Sequence, residues 1–219
     1  MASSDQLLAA GEAIWDAQIE HPFVVELAEG TLDEDAFRHW VEQDYRYLLD
    51  YARVFAIAGT KAADEPTMTH LLGVAHEILD FEMDLHREFA ANYDLTREDL
   101  ENVRKAPTCV AYTNFLVRTA HEGSIAEIAA AIYPCGQGYL DVAEHMTDLA
   151  TEDHRYTPFI EKYTSDEFRE AVAWMREFVD RTGEQYPGEH EAMREAFLTS
   201  ARLEHEFWEM AYTQEEWPV

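Results

Sequence analysis

Apolar residues recur three and four positions apart along almost the whole chain, and no segment alternates strictly enough to suggest a strand. The pattern predicts a first helix from about Asp5 to Ile19 and a short one from Pro22 to Gly30. A capping box, Thr31-x-x-Glu34, opens a long helix that carries Phe37, Trp40, Tyr47, Leu48, Tyr51 and Phe55 and ends near Ala63. Asp64-Glu65-Pro66 starts the next, with proline in the first turn, and the pattern continues to about Tyr93. Thr96-x-x-Asp99 begins a short acidic helix, and Pro107 opens another that ends near Gly123. Ser124-x-x-Glu127 caps a helix to about Ala150, Thr164-x-x-Glu167 one that stops at Gly183, and the last spans about Pro187 to Tyr212. Connections are short, and neither a fixed repeat nor a low-complexity linker is present. The expectation is an all-α helical bundle forming one domain over residues 1–219.

Residues at i, i+3, i+4 and i+7 share a helix face. That spacing puts Asp44 inside the apolar stripe of Trp40, Tyr47, Leu48 and Tyr51, and Glu204 among Phe197, Ala201, Phe207, Trp208 and Ala211. Cys135 shares a face with Ile132, Tyr139 and Val142, and Tyr112 with Cys109, Phe115 and Leu116. Each has a plain structural explanation: a satisfied buried carboxylate, an inert core thiol, a tyrosine whose hydroxyl is paired. Their number points further, since two inward acids, a thiol and several tyrosines fall on different helices of one small bundle. Cys135 follows Pro134 and precedes Gly136 and Gly138, so the pattern predicts a disrupted helical turn around the thiol.

Charge narrows the function. With 45 acidic and 16 basic residues the net charge is −29, and Lys61, Lys105 and Lys162 are the only lysines. No basic footprint for nucleic acid or an anionic membrane is visible. The acids are spread along solvated helix faces, a surface suited to high salt. No apolar run approaches the roughly 20 residues of a membrane span. The opening Met1-Ala2-Ser3-Ser4-Asp5 lacks signal-peptide features, so the expected location is the cytoplasm, with Cys109 and Cys135 reduced. Di-iron chemistry would need an acid three residues before a histidine. None of the ten histidines has one, and HExxH, CxxC, phosphate-loop and serine-hydrolase patterns are missing too. A nucleophilic thiol with carboxylate and tyrosine helpers is the chemistry that remains.

Phe37-x-x-Trp40-x-x-Gln43-Asp44-x-x-Tyr47-Leu48, Ala111-Tyr112, Pro134-Cys135 with Tyr139, Tyr156 with Ile160 and Tyr163, and Glu204-x-x-Phe207-Trp208 together resemble the thiaminase II (TenA) family, whose fold is the haem-oxygenase-like all-α bundle. The resemblance implies a homotetramer without a cofactor or metal. It implies hydrolysis of the aminomethyl pyrimidine left by thiamine damage to its hydroxymethyl product, with cleavage of thiamine itself by many members. It makes Cys135 the nucleophile and Glu204 the acid/base, with Asp44 and Tyr139 on the pyrimidine, Tyr47 near the thiol, and Tyr112, Tyr163 and Phe207 in the pocket wall. Gln137 stands where the family usually has an aromatic residue, and Phe159 where it commonly has tryptophan. Two other classes stay open on the residues alone: a regulatory or binding protein of the same fold, and a cofactor-linked oxidoreductase.

Overall fold

The computed structural model describes residues 3–150 and 153–218, so Met1 and Ala2 of the opening segment lie outside it. Among the described residues all regular structure is helical. The helices are α1 (Ser4–Ala10), α2 (Glu12–Ile19), α3 (Pro22–Ala28), α4 (Glu34–Lys61), α5 (Glu65–Glu77), α6 (Met83–Ala91), α7 (Arg97–Asn102), α8 (Pro107–Glu122), α9 (Ile125–Leu149), α10 (Thr157–Tyr163), α11 (Asp166–Gln185) and α12 (His190–Thr213). A π-helical turn, Ile78–Glu82, joins α5 to α6, and a 3-10 turn, Pro187–Glu189, precedes α12.

Several boundaries differ from the periodicity for local reasons. The first predicted helix breaks at Gly11, which ends α1 by donating to the Leu7 and Leu8 carbonyls. Thr31 is not the cap of α4: its hydroxyl turns back to the Glu26 carbonyl, 3.4 Å away, and the helix starts at Glu34. Ser165, not Thr164, caps α11 by accepting from the Phe168 amide. Gly183 is buried and the helix runs through it. Helix α7 starts after Thr96 as the sequence predicts, with Thr96 and Asp99 forming a capping box. Helix α10 was not anticipated, being only seven residues long.

The chain divides into two compact units. The first holds residues through Asp33 together with Ala126–Glu209, and so contains α1–α3, most of α9, then α10, α11 and most of α12. Its core is aromatic. Trp15 stacks on Phe197 at 5.5 Å between ring centroids, Phe23 lies 5.3 Å from Trp208, and Tyr133 is 6.1 Å from Phe197. Polar ties register the helices over this core: Ser4 donates to Asp180, and Trp208 Nε1 to Gln18 Oε1.

The second unit, Glu34–Ile125 and the chain from Met210, is built on α4. The predicted aromatic stripe is buried here, with Trp40 and Phe55 fully enclosed. Phe37 meets Trp40 and Phe89, and Tyr51 meets Phe55 edge to face. Gln43 joins α4 to the start of α8, donating to the Arg104 carbonyl and accepting from the Ala106 amide at 2.8 Å. Glu215 accepts from the Thr108 amide in the first turn of α8, where a carboxylate meets the positive end of the helix.

Helix α9 is continuous through Pro134, so the disrupted turn expected around Cys135 does not occur. Proline inside a helix costs about 3 kcal/mol in isolation. Here Ile132, Tyr133, Pro134, Gly136 and Gly138 are all buried, and packing holds the helix together. Gly136 serves that packing: a Cβ there would lie 2.6 Å from Met175 Sδ, so alanine would force the Met175 side chain of α11 to move.

Gly30 meets a stronger constraint. Its φ is +72°, and a Cβ would lie 2.7 Å from the His154 ring. That ring is fixed by a hydrogen bond from Nε2 to the Ala28 carbonyl and by the Tyr156 amide, which donates to Nδ1. Gly30→Ala should therefore lower unfolding stability by about 1–3 kcal/mol. A urea titration showing an unchanged midpoint would contradict this account of the turn.

Candidate active site

In the first unit, two helices carry the candidate catalytic groups. Ser200 Oγ on α12 donates to the Ala131 carbonyl on α9 at 2.7 Å, a pair 69 residues apart in sequence. Eight residues further along both helices, and at the same separation, Tyr139 lies 4.8 Å from Trp208. Two contacts advancing in the same sense make α9 and α12 parallel here. Cys135 and Glu204 fall midway between the two contacts with the same sequence offset, so they sit at the same level of the paired helices.

Glu204 is 2% exposed and Phe207 equally buried, whereas Cys135 keeps partial access to solvent. Tyr139, one turn beyond Cys135, lies 4.9 Å from the Tyr163 ring and 6.3 Å from Phe159. Phe159 in turn meets Tyr163 edge to face at 4.7 Å. Helix α10, unforeseen from periodicity, is what supplies Phe159 and Tyr163 to this group. Tyr139, Phe159 and Tyr163 thus form an aromatic group beginning one turn beyond the half-buried Cys135, and aromatic faces suit a planar heterocycle.

Gln137 has its own partners on another face of α9. The Tyr133 hydroxyl donates to Gln137 Oε1 at 2.9 Å, and Gln137 Nε2 donates to Asp141 Oδ1 at 2.7 Å. Trp15 Nε1 completes the series by donating to Asp141 Oδ2 at 2.8 Å. Burial raises the Asp141 pKa, an effect the two donors partly oppose. Residues 133, 137 and 141 lie one above another on the helix, whereas Cys135 is about 200° around from its neighbours in this ladder. The departure from the family pattern at Gln137 is thus absorbed by side chains behind the thiol.

In the second unit, Asp44 is 4% exposed on α4, with Trp40 one turn before it and Leu48 one turn after. Tyr47 lies 5.0 Å from Tyr112 of α8 and 5.3 Å from Tyr51. His86 of α6, completely buried, brings Nε2 to 2.6 Å from Asp44 Oδ2. The contact is short but bent away from a linear hydrogen bond. The other ring nitrogen, Nδ1, is 2.9 Å from the Glu82 carbonyl. Cys109 is buried with Sγ 3.6 Å from the Gln43 carbonyl, and burial pushes its thiol up to about 12.

Of the residues singled out in the sequence, Cys135, Tyr139, Tyr163, Glu204 and Phe207 belong to the first unit, and Asp44, Tyr47 and Tyr112 to the second. All except Cys135 are buried. His86 was missed. Its signal was available, because Met83, His86, Phe89 and Ala90 form an inward stripe in which the histidine is the one polar member. Among the described residues no three histidine, cysteine or acidic side chains converge as a metal ion requires.

A family model described as TENA/THI-4/PQQC matches residues 8–214. An aminopyrimidine aminohydrolase of Halalkalibacterium halodurans is 36% identical, covering 99% of this chain and 98% of its own. A solved TenA homologue from P. horikoshii superposes with a TM-score of 0.91 at 31% identity, over 97% of this chain and 99% of that one. A domain with a heme oxygenase-like fold from Shewanella denitrificans, 15% identical, shares the fold alone, with a TM-score of 0.75 over 96% of this chain and 92% of that one. With the family match spanning nearly every helix and a relative aligned from end to end, the chain belongs to the TENA/THI-4/PQQC family and has its haem-oxygenase-like all-α fold.

Proposed function

We propose that the protein is an aminopyrimidine aminohydrolase of the thiaminase II type, converting 4-amino-5-aminomethyl-2-methylpyrimidine and water to the 5-hydroxymethyl pyrimidine and ammonia. The observation that carries this proposal is the pairing of a half-buried thiol, Cys135, with a nearly inaccessible carboxylate, Glu204, at one level of two parallel helices beside a group of aromatic rings. The activity named for the H. halodurans relative supports it.

The chemistry follows from the substrate. Protonation of the pyrimidine ring withdraws electrons and opens the ring carbon next to the substituted one to attack by the Cys135 thiolate. A carbon–sulfur bond forms there, and the electron pair displaced onto the neighbouring carbon expels the side-chain amine, leaving an exocyclic methylene. Water adds to that methylene, and the returning electron pair breaks the carbon–sulfur bond and restores the thiolate and the aromatic ring. Glu204 carries the protons: one to the departing amine and one taken from the incoming water. The family resemblance assigns Asp44 to the donor edge of the protonated aminopyrimidine, from which a carboxylate accepts, and Tyr139 to its face. It assigns Tyr47 to the thiol and Tyr112, Tyr163 and Phe207 to the walls.

The nucleophile is Cys135 and not Cys109, because a thiol held near pKa 12 inside the core supplies almost no thiolate. Cys135→Ala should lower turnover by about a thousandfold or more with the helical circular dichroism retained. Glu204→Gln should lower it by about 10²–10⁴-fold. Both are measured by chromatographic detection of the hydroxymethyl product, and undiminished turnover in Cys135→Ala would overturn the proposal.

Thiol accessibility gives a separate check. Iodoacetamide at mildly alkaline pH should alkylate Cys135 and spare Cys109 in the folded protein, as read by peptide mass mapping. Modification of Cys109 first would contradict the assignment.

A further inference from the structure

Three observations on α4 and the α5–α6 junction concern a residue to which the proposed mechanism gives no role. His86 is entirely buried, its Nε2 lies 2.6 Å from Asp44 Oδ2, and its Nδ1 lies 2.9 Å from the Glu82 carbonyl. A carbonyl only accepts, so the proton of a neutral His86 must be on Nδ1. The same tautomer would leave a bare Nε2 only 2.6 Å from a carboxylate oxygen, two electron-rich atoms in contact in a fully buried site. A second proton on Nε2 removes the conflict and makes the ring an imidazolium facing Asp44.

The backbone is built to hold that arrangement. A π turn holds one more residue than an α-helical turn, and here the Met83 amide reaches back five residues to the Ile78 carbonyl. An added residue turns the following helix by about 100°. That rotation brings His86 inward and presents the Glu82 carbonyl to Nδ1. The Trp40 ring, one turn before Asp44, closes over the imidazole with centroids 5.3 Å apart, a favourable neighbour for a cation.

Resting on the reading of Asp44 as the acceptor for the pyrimidine, we propose that His86 is a positioning residue for substrate specificity: as an imidazolium locked by the π turn, it occupies Asp44 Oδ2 and leaves Oδ1 as an acceptor that admits only a donor edge. An aminopyrimidine, with its amine beside a protonated ring nitrogen, fits that demand, and an analogue carrying a carbonyl in place of the amine meets an acceptor with an acceptor.

The groups facing His86 agree. Burial alone would lower its pKa, but Asp44 from α4 and the Glu82 carbonyl and carboxylate from its own helix outweigh this and hold it above the ordinary histidine value. A raised pKa stabilises the fold fully below the unfolded-state value, about 6.5, and the contribution fades as pH rises through the raised value. The stability lost in Asp44→Asn should therefore be larger near pH 6 than in mildly alkaline solution.

The test combines nitrogen NMR of histidine-labelled protein, which needs no substrate, with steady-state kinetics. His86 is expected to carry protons on both ring nitrogens at about pH 7, and Asp44→Asn to return it to the neutral Nδ1–H form. His86→Gln and His86→Leu are expected to raise KM for the aminopyrimidine by about tenfold to a hundredfold, with kcat much less affected. A smaller loss in His86→Gln, which keeps a donor for Asp44, supports the positioning role. A neutral His86 in the wild-type protein, or an unchanged KM in both variants while Asp44→Asn loses binding, overturns this inference alone. An unchanged KM in Asp44→Asn overturns the assignment of Asp44 on which it rests, and this inference with it.

Discussion

The parallel pairing of α9 with α12 sets the placement of the candidate catalytic groups in the first unit. A hydroxyl-to-carbonyl hydrogen bond at one end, Ser200 to Ala131, and a ring contact at the other, Tyr139 with Trp208, fix both the axial register and the direction of the two helices. Between these points the relative heights of Cys135 and Glu204 are determined. A slip of one residue along either helix would turn a side chain by about 100° and shift it by about 1.5 Å. Both anchors would have to break first. Gly136 adds a restraint from the side, since its missing Cβ lets α11 press Met175 against α9.

The second unit handles its buried polar groups differently. Asp44, Gln43 and His86 lie on or against the aromatic helix α4, and burial this complete makes unmatched polar groups costly. Gln43 is satisfied by backbone on both sides of its amide, which fixes α4 against the start of α8. His86 and Asp44 face each other. The structural cost of that facing pair is an irregular turn in an otherwise α-helical run, and π turns of this kind recur where a side chain has to be aimed.

Much of this was legible in the sequence because helical periodicity is a direct consequence of burying one face. Phe37, Trp40, Tyr47, Tyr51 and Phe55 lie inside as their spacing requires, and the anomalous acids Asp44 and Glu204 are buried on the predicted stripes. The start of α7 after Thr96 was readable because its cap is a local hydrogen-bonding unit. What was not legible depended on distant contacts. Pro134 signalled a broken turn, yet packing around Tyr133 and Gly136 overrides the local preference. The seven residues of α10 were too few for a period to stand out. The π turn was not legible because it lies inside a run whose helical pattern continues to about Tyr93, and its purpose shows only in the contact of His86 with Asp44.

The ladder Tyr133–Gln137–Asp141–Trp15 has a consequence for how the proposed nucleophile is aimed. A helix packed only through greasy contacts can roll about its axis by sliding methyl groups past one another, at little cost for small angles. A helix tied to its neighbour by a directional bond resists that roll, because the donor has a narrow range of useful angles. Trp15 of α2 supplies such a bond to Asp141, and Tyr133 and Gln137, bonded in turn within α9, hold the Asp141 carboxylate in place for it. If Cys135 has the proposed role, the direction of its thiol is set in part from the opposite face of α9, and a change at Gln137 would be felt as a loss of aim rather than a loss of reactivity.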